Sequence, residues 1–247
     1  MKNKIRGEFI LKFLIVGDVC GRPGREAFRK YVPELKKEHN IDVVVVNGEN
    51  IAGGRGISRK TLDEIYRAGA DIVTSGNHIW DQKEIVSFID DEPFLIRPAN
   101  YPEGAPGKGY CIYPFKAKNI GVINVSGRTF MPPMDCPFQK VDEILKEIKN
   151  QCDIILVDIH AEATSEKIAM GFYLDGKVTC VVGTHTHVQT ADNRILPKGT
   201  AYISDLGMVG PYNSSLGINV NNAIDKFITC RPVRFEMAEG PNIFSAV

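Results

Sequence analysis

The 247-residue chain carries 30 basic and 30 acidic residues, so its formal charge is zero, and it is 43% hydrophobic and 24% charged. That balance excludes a general attraction to nucleic acid or to an anionic membrane surface, while the apolar share suits a sizeable core. No stretch approaches the ~20 apolar residues of a membrane span, and the six scattered cysteines contain no Cys-x-x-Cys pair, which fits reduced thiols in a cytoplasmic protein. With no internal repeat and no low-complexity linker, the expectation is a single domain over residues 1–247, of which 1–11 form a short basic N-terminal extension.

In chain order, Phe13-Leu-Ile-Val-Gly-Asp18 reads as an apolar strand that ends in a carboxylate. Gly21-Arg-Pro-Gly-Arg25 reads as a turn, with an anion-binding helix start as its other reading, and the pattern turns helical from Glu26 to Lys37. Val43 to Val46 are four consecutive β-branched residues, as in a strand covered on both faces. Ser58 is placed to cap a helix through Ala68, and Asp81 to Ile89 reads as a further short helix. Strands are expected near Tyr110 and Ile120. Phe138, Val141, Ile144, Leu145 and Ile148 recur at helical spacing before a strand at Ile154. Pro197-Lys-Gly turns into a strand at Thr200-Ala-Tyr-Ile-Ser, and Asn222 to Ile228 reads as the last helix. Pro232-Val-Arg-Phe-Glu-Met alternates like a half-exposed strand, and Asn242-Ile-Phe-Ser-Ala-Val like a strand without its hairpin partner, an edge frayed or completed by another chain. The alternation predicts a layered α/β architecture.

The chemistry gathers where the apolar runs end. His78, His160, His185 and His187 all stand there, and so do Asp18 and the Glu49-Asn50 pair. In an α/β sheet the carboxyl ends of the strands converge on one crevice. Gly183-Thr-His-Thr-His187 is the sharpest motif, because paired imidazoles on a loop can reach two metals. Gly76-Asn-His78 adds the neutral oxygen of Asn77. His39, in Lys36-Lys-Glu-His-Asn, belongs to a solvated helix end and is assigned no chemistry.

Asp18, Glu49, Asn50, Asn77, His160, His185 and His187 are seven candidate ligands. One zinc ion uses three or four protein ligands, so the set implies two ions about 3.5–4 Å apart, bridged by Glu49 and a hydroxide. Imidazole mixed with carboxylate suits manganese, iron, zinc or cobalt and excludes a purely oxygen-loving magnesium or calcium site. Such a core keeps net positive charge, attracts a phosphoryl group and supplies a nucleophile near neutral pH. His78, left outside the ligand set, is the candidate general acid. Arg128, in Ser126-Gly-Arg-Thr-Phe-Met-Pro-Pro133, is a candidate substrate contact.

The motifs Gly17-Asp-Val, Asn47-Gly-Glu-Asn, Gly76-Asn-His-Ile-Trp-Asp81, Arg97-Pro-Ala-Asn100, His160-Ala-Glu-Ala-Thr-Ser-Glu166 and Gly183-Thr-His-Thr-His-Val-Gln-Thr-Ala-Asp-Asn193, in this order, resemble the calcineurin-like metallophosphoesterases and more closely their bacterial YmdB-type branch. The resemblance spans Phe13 to Glu239. It implies a four-layer α/β/β/α sandwich, a homo-oligomer, and two divalent or mixed-valence transition-metal ions, iron or manganese ahead of zinc. It implies hydrolysis of small phosphodiesters including 2′,3′-cyclic nucleotides. Carried over, one metal takes Asp18, Glu49, Asn50 and His187, and the other Glu49, Asn77, His160 and His185, with His78 as proton donor. The wider superfamily has a histidine two residues after the first aspartate. Here Cys20 stands in its place, and a packed thiol is expected rather than a soft ligand. The missing C-terminal hairpin also departs from the branch and bears on oligomer contacts. The rival functions are a phosphomonoesterase on the same centre and a regulatory protein that binds a protein partner in RNA metabolism.

Overall fold

The computed structural model describes residues 10–247. The expected extension over residues 1–11 therefore lies, apart from Ile10 and Leu11, outside the described residues. The chain opens with β1 (Phe13–Val16), continues after Gly17 as β2 (Asp18–Val19), and enters α1 (Gly21–His39), β3 (Val43–Asn47), α2 (Arg59–Arg67) and β4 (Ile72–Thr74). β5 (Tyr110–Phe115), β6 (Lys118–Ser126), α3 (Pro137–Ile148), β7 (Ile154–His160), α4 (Thr164–Leu174) and β8 (Cys180–Thr184) follow. The last elements are β9 (Arg194–Ile195), β10 (Ala201–Ile203), β11 (Met208–Pro211), α5 (Val220–Thr229) and β12 (Asn242–Phe244).

One sheet has the order β1-β3-β4, and the strand that begins as β1 carries on as β2 into a second ladder, β12-β11-β2. The other sheet runs β5-β6-β7-β8-β10-β9, parallel from β6 through β10 and antiparallel at both edges. Three apolar clusters define the layering. Phe28, Val32, Leu62 and Ile65 of α1 and α2 pack on Val44 and Val46. Ile15, Val43 and Val45 meet Ile120, Val122 and Leu156 between the sheets. Val141, Ile144 and Met170 of α3 and α4 pack on Val157 and Ile159. The layers are thus α/β/β/α. The four valines of β3 are buried on both faces, as their β-branched run predicts.

The helix at Ser58 forms as expected: the Ser58 side chain accepts the Thr61 N–H, and the Thr61 hydroxyl oxygen accepts the Ser58 N–H, a reciprocal capping box. Four other expectations are corrected. Gly21–Arg25 is the first turn of α1 rather than a separate turn, because Pro23 falls where a helix needs no N–H donor. Gly24 is required there by close approach, since a Cβ would sit 2.4 Å from the Val209 carbonyl oxygen. The helix over Asp81–Ile89 is instead two short 3-10 turns, Lys83–Ser87 and Ile89–Asp91. Residues Pro232–Met237 form no strand; Met237 alone bridges Ile218. The closing segment is paired within the chain rather than frayed. β12 pairs antiparallel with β11, and beyond it Val247 exchanges N–H···O bonds of 2.8 and 2.9 Å with Ile15. Among the described residues, no helix is long and apolar enough to cross a membrane.

Register decides what reaches the rim. Ser126 pairs with His160, and His160 with Thr184, so β6, β7 and β8 end level with one another. On the facing sheet, Asn47 of β3 pairs with Thr74 of β4, which sends the 48–50 and 75–78 loops out side by side.

Candidate metal centre

Asp18, Glu49, Asn77, His160, His185 and His187 converge between these strand ends and Asn50 follows Glu49 on the same loop, with Asp18 and His160 fully buried and Glu49 and Asn50 nearly so. The His160 Nε2 atom is met from three sides, by Asn77 Oδ1 at 3.0 Å, His185 Nδ1 at 3.0 Å and Glu49 Oε2 at 3.2 Å. One ring nitrogen cannot satisfy three such partners. Adjacent ligands bound ~2.1 Å from a common ion lie about 3 Å apart, which is the spacing seen. On the other flank, atoms of Asp18, Glu49 and His187 lie within 4.8 Å of one another. The buried Asp18 Oδ1 of that flank and Asn50 Oδ1, next in sequence to Glu49, have no hydrogen-bond partner at all. Buried oxygens are rarely left unpaired, and a cation is the partner that suits both. The residues fit two ions that share Glu49.

Each histidine is held through the nitrogen that faces away from the cluster, an assignment made from the hydrogen-bond network. His160 Nδ1–H donates to the Thr184 hydroxyl at 2.9 Å, which donates in turn to Asp158 Oδ1 at 2.8 Å. His185 presents Nε2 to Glu162 at 3.2 Å, and His187 Nδ1–H donates to the Leu216 carbonyl at 3.1 Å. That leaves His160 Nε2, His185 Nδ1 and His187 Nε2 as the ring nitrogens that face the cluster. Such outer partners set tautomer and ring orientation in metal sites. The sequence motifs assign none of these four partners a role. Asp158 and Glu162 carry a signal, since they flank His160 at two residues on either side. The Leu216 carbonyl, 29 residues from His187, carries none.

The charges part according to distance. Burial pushes Asp18 up to about 7, against the pull of His187 and His160. At Glu49 burial acts in the same direction but is outweighed by His160, only 3.2 Å away, and the carboxyl is held at about 2. Burial drives His185 down to about 3, which keeps it in the neutral form that binds metal.

His78 stands apart from the ligands. Its backbone N–H donates to Glu49 Oε2 at 3.1 Å, while its ring Nδ1 meets Asp81 Oδ2 at 2.9 Å. Its side chain is 24% exposed. Arg128 is exposed; its backbone N–H donates to Glu166 at 3.0 Å and its guanidinium lies 3.6 Å from Cys136 Sγ. Cys20 is a packed thiol. It is 2% exposed, 3.5 Å from the Asp18 carbonyl oxygen and 3.6 Å from the outward nitrogen of His187, and burial raises its pKa. Arg97 and Asn100 serve the loops, Arg97 donating to the Ala105, Pro106 and Pro98 carbonyls and Asn100 clasping Ser126.

Gly76 makes the cluster sterically possible. A Cβ at this position would sit 2.3 Å from both Glu49 Oε2 and His160 Nε2. Gly76→Ala is therefore expected to displace both side chains and to lower the metal content measured by elemental analysis, whereas an unchanged content would contradict the crowding.

The family profile described as YmdB-like protein matches residues 14–247. The chain belongs to the YmdB-like family. A Bacillus subtilis (strain 168) relative described as 2′,3′-cyclic-nucleotide 2′-phosphodiesterase is 53% identical over 237 residues, which is 96% of this chain and 90% of the relative. A solved hypothetical protein from Thermus thermophilus superposes with a TM-score of 0.91 at 43% identity, covering 95% of this chain and 91% of the other. A solved phosphatase from Mycoplasma pneumoniae gives a TM-score of 0.90 at 36% identity, covering 96% and 86%. This member of the YmdB-like family has the calcineurin-like α/β/β/α sandwich and is a phosphoester hydrolase.

Proposed function

We propose that the chain is a two-metal phosphodiesterase acting on small diesters of the 2′,3′-cyclic-nucleotide class. The observation that carries the reading is a buried histidine nitrogen, His160 Nε2, crowded by three ligand-type atoms, in a chain that also leaves the buried Asp18 Oδ1 and Asn50 Oδ1 without partners. In this reading Asp18, Glu49, Asn50 and His187 hold one ion and Glu49, Asn77, His160 and His185 the other. Bound there, two ions of iron, manganese or zinc would polarise the phosphoryl oxygens and lower the pKa of water enough to provide the nucleophile.

The protein's own groups do the rest. Glu49 and Asp18 set the charge of the centre, two negative against four positive for two divalent ions, so it stays attractive to a phosphate diester anion. His78 carries the proton that the departing alkoxide needs. Asp81 accepts the Nδ1–H of that ring and so turns Nε2 towards the substrate. A cyclic diester suits an acid of this kind, because its leaving oxygen is a sugar alkoxide that departs poorly without a proton. Arg128, on the loop after β6, is the side chain proposed to contact the outer part of the substrate.

Hydrolysis of 2′,3′-cyclic AMP and of an aryl phosphodiester should exceed that of the matching aryl monoester in kcat/KM under one set of metal conditions. Preference for the monoester would overturn the reading in favour of a phosphomonoesterase on the same centre. The cytoplasm as its place of work and self-association of the chain complete the proposal; light scattering that showed a monomer at micromolar concentration would contradict the latter.

A further inference from the structure

Lys167 of α4 and Asp205, which follows β10, are each 1% exposed, and their charged ends meet at 2.6 Å. Neither belongs to the ligand sets. A buried ion pair is a poor stabilising device, because desolvation takes back most of the Coulombic gain, so its retention calls for another explanation. The remaining contacts of Asp205 supply it. Oδ2 also accepts the backbone N–H of Thr186 at 3.1 Å, and Oδ1 accepts that of Gly207 at 2.7 Å. Thr186 separates His185 from His187, which both sit at positive φ, 101° and 65°. Non-glycine residues hold that conformation only where their surroundings over-determine it. The Gly207 carbonyl in turn accepts the N–H of Asp18 at 3.0 Å. One carboxylate thus ties the turn bearing two metal-facing imidazoles to the strand end bearing Asp18. Gly183 leaves space for the arrangement, since a Cβ there would lie 2.9 Å from Lys167 Cδ and 1.8 Å from the Ser204 carbonyl oxygen.

We propose that Lys167 and Asp205 are positioning residues: Asp205 holds the His185-Thr186-His187 turn and the Asp18 strand end at the separation the two ions require, and Lys167 anchors that carboxylate in place through their buried ion pair. The inference rests on the two-metal reading above.

The test is Mn²⁺ titration of chelator-stripped protein by calorimetry, comparing the wild type with the double variant Lys167→Met/Asp205→Asn. The double replacement leaves no uncompensated buried charge, but an amide cannot accept both the Thr186 and the Gly207 N–H. The expected result is Mn²⁺ affinity about 10–100-fold weaker, the usual loss when a metal site's outer partners are removed. The melting temperature in chelator should stay close to wild type, and hydrolysis should recover as Mn²⁺ is raised. Should the double variant not fold, Asp205→Asn alone, which keeps Lys167, is expected to lose Mn²⁺ affinity in the same direction, and wild-type affinity in it overturns the proposal. Equal affinity in the wild type and the folded double variant overturns the positioning role alone. A wild type that takes up no Mn²⁺ overturns the metal centre and the positioning role together.

Discussion

Glu49→Gln is expected to abolish metal retention at both positions and to reduce diester hydrolysis by at least ~10³-fold, the equivalent of losing several kcal/mol of metal-borne charge stabilisation. The reason is geometric. Glu49 Oε2 lies 3.2 Å from His160 Nε2 on one flank, and the same carboxyl groups with Asp18 and His187 on the other. It is the one residue that appears in both clusters. The substitution keeps the size of the side chain and an oxygen to accept the His78 N–H at 3.1 Å, so the fold should persist. Elemental analysis beside a diester assay checks the expectation. A variant that retained two metals per chain and wild-type turnover would show that Glu49 does not bridge.

His78→Ala should behave in the opposite way towards metal. The His78 ring hydrogen-bonds Asp81 and lies outside the expected ligand set, so two ions should remain bound while kcat falls about 10²–10⁴-fold, the span usual for loss of a general acid. The loss should depend on the leaving group. With 2′,3′-cyclic AMP a sugar alkoxide must be protonated and the full effect is expected. With a nitrophenyl diester the leaving phenolate needs no proton, and the deficit should shrink to a few-fold. Comparing kcat for the two substrates in one preparation checks the role, and an equal deficit on both would remove His78 from the proton-transfer step. Asp81→Asn should produce a smaller loss of the same leaving-group pattern, because the ring would lose only its orienting partner.

Much of this centre is legible in the order of residues alone. Asp18, Glu49-Asn50, His160 and the His185/His187 pair each end an apolar run, and parallel strands deliver such residues to one rim. The outer layer is less legible for a physical reason. His160 and Thr184 are register partners on neighbouring strands, a relation that appears only once β7 and β8 are aligned. His187 is held by a carbonyl, and a carbonyl leaves no mark in residue type. The start of α1 reads as a turn because its Gly-Arg-Pro-Gly signal belongs equally to turns and to helix N-termini, and the tight contact of Gly24 with the Val209 carbonyl decides between them. Pro232–Met237 has strand-like alternation but no neighbouring strand to pair with, apart from the single Ile218 bridge. The closing segment Asn242–Val247 reads as unpartnered because its partners, β11 and Ile15, lie far away in sequence.

In the proposed function, the seven strand-end ligands hold two transition-metal ions. Metal content of the purified, manganese- or iron-reconstituted protein, measured by elemental analysis against protein concentration, tests it most directly. Two ions per chain are expected in wild type, falling together with diester turnover as chelator is added. One ion or fewer per chain in fully active protein would contradict it.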